Sequence, residues 1–131
     1  SACVAAEQPE DVAGLILWYP AFVIEENAKK RAVLPAPDRD DFFGLSLGER
    51  YIQDALEIRI YQKIADYRKP VLIIHGDRDD MVPLSSSRKA VQIYKSAELK
   101  IISGGGHGFE GDQRFQAAGY SIRFIQTLMK K

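Results

Sequence analysis

Three short apolar runs predict the strands of this chain. They are residues 12–18 (VAGLILW), 71–75 (VLIIH) and 99–102 (LKII). The first two are apolar without alternation, which is typical of parallel strands that are covered on both faces. A short buried helix is the competing interpretation of residues 12–18, but Gly14 and the shortness of the run favour a strand.

Helices are predicted on either side of these runs. Residues 1–8 (SACVAAEQ) are rich in alanine, and Pro9 ends the helix because the residue before a proline is pushed out of the helical region. Residues 85–97 form a second helix, for which Ser85, Ser86 or Ser87 is the predicted N-cap.

The last helix is predicted from Asp112, as its N-cap, to Lys130. Apolar side chains recur in it at spacings of three and four, so we expect this stripe to face the core. The stripe consists of Phe115, Ala118, Ile122, Ile125 and Met129.

Residues 20–66 differ from the rest of the chain. They mix charge runs with prolines and glycines, and they contain two predicted helices, residues 47–57 and 61–67. We interpret the region as a cap inserted into an α/β fold. The alternative is a long surface excursion without a role.

The order helix, strand, cap, strand, helix, strand, helix predicts the α/β class, a parallel sheet with helices on both faces. Residues 1–131 are treated as one domain with residues 20–66 inserted. Residues 12–18 need strand neighbours on both edges, so we expect the C-terminal part of a larger domain, completed by a missing N-terminal half or a partner chain. A compact three-stranded domain is the alternative.

Charge and composition exclude several functions. The 131 residues carry 18 Lys and Arg against 18 Asp and Glu, so no basic surplus favours nucleic acid as a partner. Cys3 is the single cysteine, which excludes an internal disulfide and a cysteine-rich zinc site. The longest apolar run, residues 12–23, is shorter than the ~20 residues of a membrane span, and no signal-peptide pattern is seen, so we expect a cytoplasmic protein.

Two polar loops follow predicted strands. Residues 75–83 (HGDRDDMVP) follow the second strand, and residues 104–108 (GGGHG) follow the third. Ligands bind beyond the carboxyl ends of strands in open parallel sheets. Glycines leave His107 accessible, and an acid of the first loop can accept a ring N–H from it. An acid that orients a histidine makes two-thirds of a nucleophilic triad.

Other interpretations of these residues exist. His107 is a turn residue in one of them. Asp77, Asp79 and Asp80 suit a hard cation, or one of them forms an Asx turn with Gly76. His75 is interpreted as a buried residue at a strand end rather than as a catalyst.

The two loops resemble those of α/β-hydrolases. Residues 75–83 are similar to the acid motif H-G-x-x-D-x-x-V-P, and residues 104–109 are similar to the histidine motif G-x-G-H-x-F. The spacing from Asp79 to His107 is 107 − 79 = 28 residues, enough for one helix and one strand. Within this superfamily the chain is most similar to small carboxylesterases of the cinnamoyl or feruloyl esterase type and to prolyl-oligopeptidase-like hydrolases.

The resemblance implies a serine hydrolase that cleaves small acyl or aromatic acyl esters. Asp79 and His107 would be the catalytic acid and base, and Met81 and Val82 would face the substrate. The family's nucleophilic serine lies in a G-x-S-x-G elbow. Ser1 lacks the glycine two positions on, so we expect the serine and its oxyanion hole upstream of residue 1.

The resemblance implies a small-molecule ester as substrate, with no cofactor and no metal. The charge balance and the short apolar runs predict neither nucleic acid nor a membrane as partner. The cap would cover the acyl pocket, with Phe22, Phe42, Phe43 and Tyr51 available to line it. Two alternatives stay open. One is a non-catalytic ligand-binding protein of the same fold, and the other is a fragment that functions only with a complementary N-terminal piece.

Overall fold

The computed structural model describes residues 1–34, 41–42, 45–46 and 48–130, with side chains described for residues 1–34 and 48–130. In chain order the elements are α1 (Ala2–Glu7), a 3₁₀ turn (Pro9–Asp11), β1 (Leu15–Trp18), α2 (Ile24–Ala32), β2 (Asp41–Phe42), β3 (Leu45–Ser46), α3 (Glu49–Glu57), α4 (Ile60–Ile64), β4 (Val71–Gly76), α5 (Leu84–Ile93), β5 (Ala97–Ile102) and α6 (Asp112–Met129).

The central sheet has the strand order β1-β4-β5, and all its strand pairs are parallel. Every residue of β4 is buried, as expected of a central strand whose sequence is apolar throughout. The α/β class predicted from the sequence is therefore confirmed. The first strand is shorter than its apolar run, because pairing with β4 begins at Leu15 and ends at Trp18.

The chain divides into two compact units. One comprises Ser1–Phe22 and Tyr61–Lys131 and holds the central sheet, and the other is Val23–Ile60, which lies within the predicted cap. In the second unit α2 packs against α3 around Ala28, Ile52 and Ala55. The helix predicted at residues 47–57 begins at Glu49, and the helix predicted at residues 61–67 is α4, which ends at Ile64.

One face of the sheet packs against α6. Leu72, Ile74 and Ile102 form a buried cluster with Phe109 and with Ala117 of α6. Trp18 adds to this side of the core, and its indole Nε1 donates a hydrogen bond to Ser121 Oγ over 3.0 Å. The small Ala117 side chain brings the helix close to the sheet.

The predicted core stripe of α6 is wrong. Phe115, Ile122, Ile125 and Met129 are 79%, 55%, 45% and 80% exposed, and Ala118 is only half-buried. The face that packs on the sheet instead carries Ala117, Tyr120, Ser121 and Phe124. Both sets repeat at helical spacings, so periodicity alone did not distinguish the buried face from the exposed one.

The predicted helix caps are also wrong. The N-cap of α5 is Pro83, so the predicted capping serines lie inside the helix, where Ser86 and Ser87 are buried. Pro83 is extended, and its carbonyl accepts hydrogen bonds from both the backbone N–H and the hydroxyl of Ser86. At α6 the N-cap is Gly111 with φ 50°, a conformation that glycine adopts at little cost, and Asp112 is the first helical residue.

Within the described residues, β1 pairs with β4 on one edge only. The neighbour strand that the sequence predicts from outside these residues therefore stays a prediction. Among the same described residues, the search for membrane-spanning helices finds none with the necessary length and hydrophobicity.

Candidate active site

Two loops meet at one edge of the sheet. The acid loop (residues 77–83) follows β4 and the histidine loop (residues 103–111) follows β5, and the two strands are adjacent and parallel. The loops are joined by hydrogen bonds, from Arg78 N to Gly105 O over 2.9 Å and from Gly104 N to Asp77 Oδ1 over 2.7 Å. A Cβ atom on Gly76 would collide with the Gly105 backbone, so this approach requires glycine.

The histidine loop is fixed on both sides of His107. Gly104 has φ 73° and Gly108 has φ 95°, which permits the sharp turns that the loop makes. Phe109, two residues after the histidine, is 2% exposed and belongs to the core cluster under the sheet. The anchored phenyl ring therefore limits how far His107 can move.

Asp79 is the acid that contacts His107. Its carboxylate is fully buried, and Oδ2 lies 2.9 Å from His107 Nδ1. Oδ1 accepts hydrogen bonds from the backbone N–H groups of Met81 at 3.0 Å and Val82 at 2.8 Å. These two bonds are the sign of an Asx-type turn, so the turn and the contact with histidine involve the same residue.

The other two acids of the loop have different surroundings. Asp77 accepts its bond from Gly104 N, and the Asp80 residue is exposed. Among the residues that the structure describes, no group of three or more His, Cys, Asp and Glu side chains is arranged to hold a metal ion.

Electrostatics favour the ionised form of Asp79. Burial alone would raise the pKa of this carboxyl, but the hydrogen bond from Val82 N–H, the hydrogen bond and charge of His107, and the hydrogen bond from Met81 N–H together hold the pKa below its usual value. An ionised carboxylate can accept a hydrogen bond from His107 Nδ1–H and stabilise an imidazolium.

The His107 ring is bound to Asp79 through Nδ1, but part of it is accessible to solvent. Its side chain is 30% exposed, whereas that of Asp79 is not exposed at all. Because Nδ1 donates to Asp79, the neutral ring carries its lone pair on Nε2. This tautomer can take a proton from a nucleophile and return it to a leaving group.

Tyr19 belongs to this site, although no sequence pattern predicted it. It follows β1 with φ 38°, an uncommon conformation for a non-glycine residue. Its ring centroid lies 5.0 Å from that of His107 and 5.0 Å from that of Phe109. The one available signal was an aromatic residue directly after a strand that borders β4.

His75 is buried, as expected of a strand-end residue, but it also contacts the site. Its Nε2 lies 3.0 Å from Asp79 Oδ2, the same oxygen that His107 approaches. The H-G-x-x-D spacing does not predict this contact, because it gives no information about the direction of the ring.

The remaining predicted contact residues are placed as follows. Met81 is 52% exposed. Val82 is 6% exposed and contacts the site through its backbone, with its N–H bonded to Asp79 and its carbonyl to His75. Tyr51 is 50% exposed on α3, and Phe22 is 2% exposed and stacked on Tyr61. Phe43 lies outside the described residues, as does the side chain of Phe42.

The sequence does contain one G-x-S-x-G pattern, at residues 44–48 (GLSLG), so the expectation that this motif lies upstream of residue 1 has a rival inside the chain. Ser46 ends β3, which pairs antiparallel with β2 and is not part of the parallel sheet. The elbow of this family joins a strand of the central sheet to a helix. The location of β3 does not meet that requirement, so Ser46 is a weak candidate for the nucleophile.

A parallel sheet, an acid after one strand and a histidine after the next, 28 residues apart, are the C-terminal features of an α/β-hydrolase. The chain has the C-terminal part of this fold.

Comparison with known proteins agrees with this assignment. The chain superposes on Est1E from Butyrivibrio proteoclasticus with a TM-score of 0.85 and 28% identity, over 99% of this chain and 57% of that one. It is 41% identical over 94 residues to the putative carbamate hydrolase RutD of Caulobacter sp. (strain K31), which covers 72% of this chain and 35% of that protein. It is 48% identical over 40 residues to the non-heme chloroperoxidase CPO-A1 of Kitasatospora aureofaciens, or 30% of this chain and 14% of that protein.

More distant structures share the fold. Alpha/beta hydrolase domain-containing protein 10 from mouse superposes with a TM-score of 0.71 at 16% identity, over 96% of this chain and 57% of that one. No protein-family model matches the chain. The chain spans little more than half of Est1E and about a third of the Caulobacter relative.

Proposed function

We propose that this chain supplies the acid and the base of a serine hydrolase that cleaves carboxylic esters. The observation that carries the proposal is the 2.9 Å contact between the buried Asp79 carboxylate and Nδ1 of the accessible His107. Similarity to esterases and hydrolases supports the same reaction class.

In the proposed reaction His107 Nε2 takes the proton of a serine hydroxyl as the serine attacks the ester carbonyl. The ring then gives this proton to the departing alcohol, and an acyl-enzyme is left. Water hydrolyses the acyl-enzyme with the same ring as base, while Asp79 keeps the tautomer and stabilises the imidazolium. The nucleophile and the oxyanion hole come from sequence outside residues 1–131. The expected cytoplasmic location stays a prediction.

The substrate proposal is a small ester with an aliphatic or aromatic acyl group. A structure of Est1E holds ferulic acid, and this chain is similar to Est1E at 28% identity. We therefore expect both p-nitrophenyl acetate and methyl ferulate to be hydrolysed by the protein that carries this chain. The ratio of their kcat/KM values measures the preference for the acyl group.

The first test is labelling with a fluorophosphonate, which reacts with activated serines, followed by peptide mass spectrometry. We expect one labelled serine outside residues 1–131, and we expect labelling to be lost in His107→Ala. Ser46→Ala is the matched control and should be labelled like the wild type. Label on Ser46 itself would show that the nucleophile has been placed wrongly.

The second test is turnover of both esters. His107→Ala should lower kcat by about 10⁴-fold or more, because it removes the base. The exposed Asp80, in the same loop as Asp79, gives the control Asp80→Asn, which should keep wild-type turnover. A folded wild-type protein that binds the esters but neither hydrolyses them nor reacts with fluorophosphonate would favour the non-catalytic alternative.

A further inference from the structure

His75 is a buried histidine whose ring is fully engaged. The residue is 0% exposed, and its Nδ1 lies 2.7 Å from Ser87 Oγ on α5. Its Nε2 lies 3.0 Å from Asp79 Oδ2 and 2.9 Å from the backbone oxygen of Val82. The ring therefore connects the C-terminal end of β4 with the acid loop and α5.

These partners determine which ring nitrogen carries the proton. Asp79 Oδ2 and Val82 O are both acceptors, so Nε2 must be the donor toward them. A neutral ring protonated on Nε2 has its lone pair on Nδ1, and the Ser87 hydroxyl can donate to that position. His75 is thus expected as the Nε2–H tautomer with Ser87 as its donor.

The result for Asp79 is a carboxylate with donors on both oxygens. Oδ1 accepts two backbone N–H groups, and Oδ2 accepts one imidazole N–H from His107 and one from His75. Rotation of the carboxylate about its last bond would break four hydrogen bonds together. His75 approaches Oδ2 from the buried side, and so it fixes the position at which His107 finds its acceptor.

We propose that His75, held by Ser87, is a positioning residue that aims Oδ2 of Asp79 at His107. The proposal deepens the hydrolase function and rests on it for its kinetic consequence. The tautomer and the contacts can be measured whether or not the protein hydrolyses esters.

The test that needs no variant is ¹⁵N NMR of the histidine rings in the protein that carries this chain. We expect the ¹⁵N shifts of His75 to be those of a neutral ring protonated on Nε2, because both acceptors, Asp79 Oδ2 and Val82 O, face that nitrogen. A His75 ring protonated on Nδ1, as the other neutral tautomer or as the imidazolium, would overturn the proposal. A failed esterase assay leaves this measurement unaffected, so the two failures are distinguishable.

The kinetic test compares two substitutions of His75. His75→Leu removes the donor, and misplacement of the acid should lower kcat by up to about 10²-fold with little change in KM. His75→Gln keeps an amide N–H near the position of Nε2 and should recover most of that loss. In an Asp79→Asn background neither change should lower kcat much further, because His75 acts through Asp79.

Ser86 and Ser87 form a matched pair on α5. Both are buried, but the Ser86 hydroxyl bonds to Pro83 O and Ser87 alone contacts His75. Ser87→Ala should reduce kcat and make the His75 tautomer mixed, while Ser86→Ala should do neither. Equal kcat in both serine variants with an unchanged ring tautomer, or losses from His75 and Asp79 substitutions that multiply, would show that His75 is only a core residue.

Discussion

Replacing Asp79 by Asn tests the geometry of the site most directly. The aspartate accepts two backbone N–H groups on Oδ1 and two imidazole N–H groups on Oδ2. Asparagine has only one accepting oxygen. The backbone N–H groups cannot change, so the amide oxygen should stay with Met81 and Val82, and the NH₂ group should face the two rings.

Each ring is then forced to change. His107 must present a lone pair at Nδ1 and carry its proton on Nε2, so it cannot act as a base. His75 must accept at Nε2, which leaves its lone pair facing the Val82 carbonyl at 2.9 Å, a buried acceptor without a donor. The first change should lower kcat by up to about 10⁴-fold, or about 5.4 kcal/mol of barrier. The second should lower the free energy of unfolding by about 1–3 kcal/mol.

The assay is urea unfolding together with ester turnover in the protein that carries this chain. Asp77→Asn is the control, because Asp77 accepts a bond from Gly104 N through one oxygen, which an amide oxygen can replace. We expect the control to match the wild type in both measurements. If Asp79→Asn were as stable as Asp77→Asn, the two-ring contact with Oδ2 would be wrong. If it kept more than about a tenth of the wild-type turnover, the proposed mechanism would be wrong.

Three further outcomes are expected from equilibrium unfolding. Gly76→Ala should destabilise by about 1–3 kcal/mol or more and reduce activity, because its Cβ meets the backbone of the histidine loop, while Gly119→Ala in α6 meets nothing within 4 Å and should not destabilise. Phe124→Ala should lower the free energy of unfolding by about 2–4 kcal/mol, and Ile125→Ala should lower it by less than about 1 kcal/mol. The reverse order would show that the stripe with Ile125, predicted from the sequence, is the packed face after all. Burial raises the pKa of Tyr94, whose hydroxyl has no hydrogen-bond partner among the described residues, so the unfolded chain loses that proton first and wild-type stability should fall above about pH 10. Tyr94→Phe should be at least as stable at neutral pH and should weaken this fall.

The sequence predicted the sheet and the two loops well because their signals are local. A parallel strand covered on both faces must be an unbroken apolar run, and β4 shows it at every residue. The acid and histidine motifs follow strands that pair, so the fold brings Asp79 and His107 together across 28 residues.

The parts that the sequence did not predict depend on tertiary packing. α6 carries apolar residues on two faces, and the face that packs on the sheet is the one with Ala117, Tyr120 and Phe124. Serine is a favoured N-cap residue, so the serines of α5 were predicted as its cap. The N-cap is instead Pro83, and Ser87 lies inside the helix and contacts His75. The contribution of Tyr19 follows from a backbone conformation that no residue pattern indicates.

Trp18 gives this site a natural optical reporter. It is the single tryptophan of the chain, it ends β1, and its ring centroid lies 5.7 Å from that of Phe109 in the histidine loop. Its indole N–H is bonded to Ser121, so the fluorophore joins the sheet, α6 and the neighbourhood of His107. Emission excited at the tryptophan band should shift to the red when the histidine loop detaches and water reaches the indole. In the protein that carries this chain, the difference between the emission of the wild type and that of Trp18→Phe isolates this indole, so loop motion can be timed by stopped-flow fluorescence without an added dye.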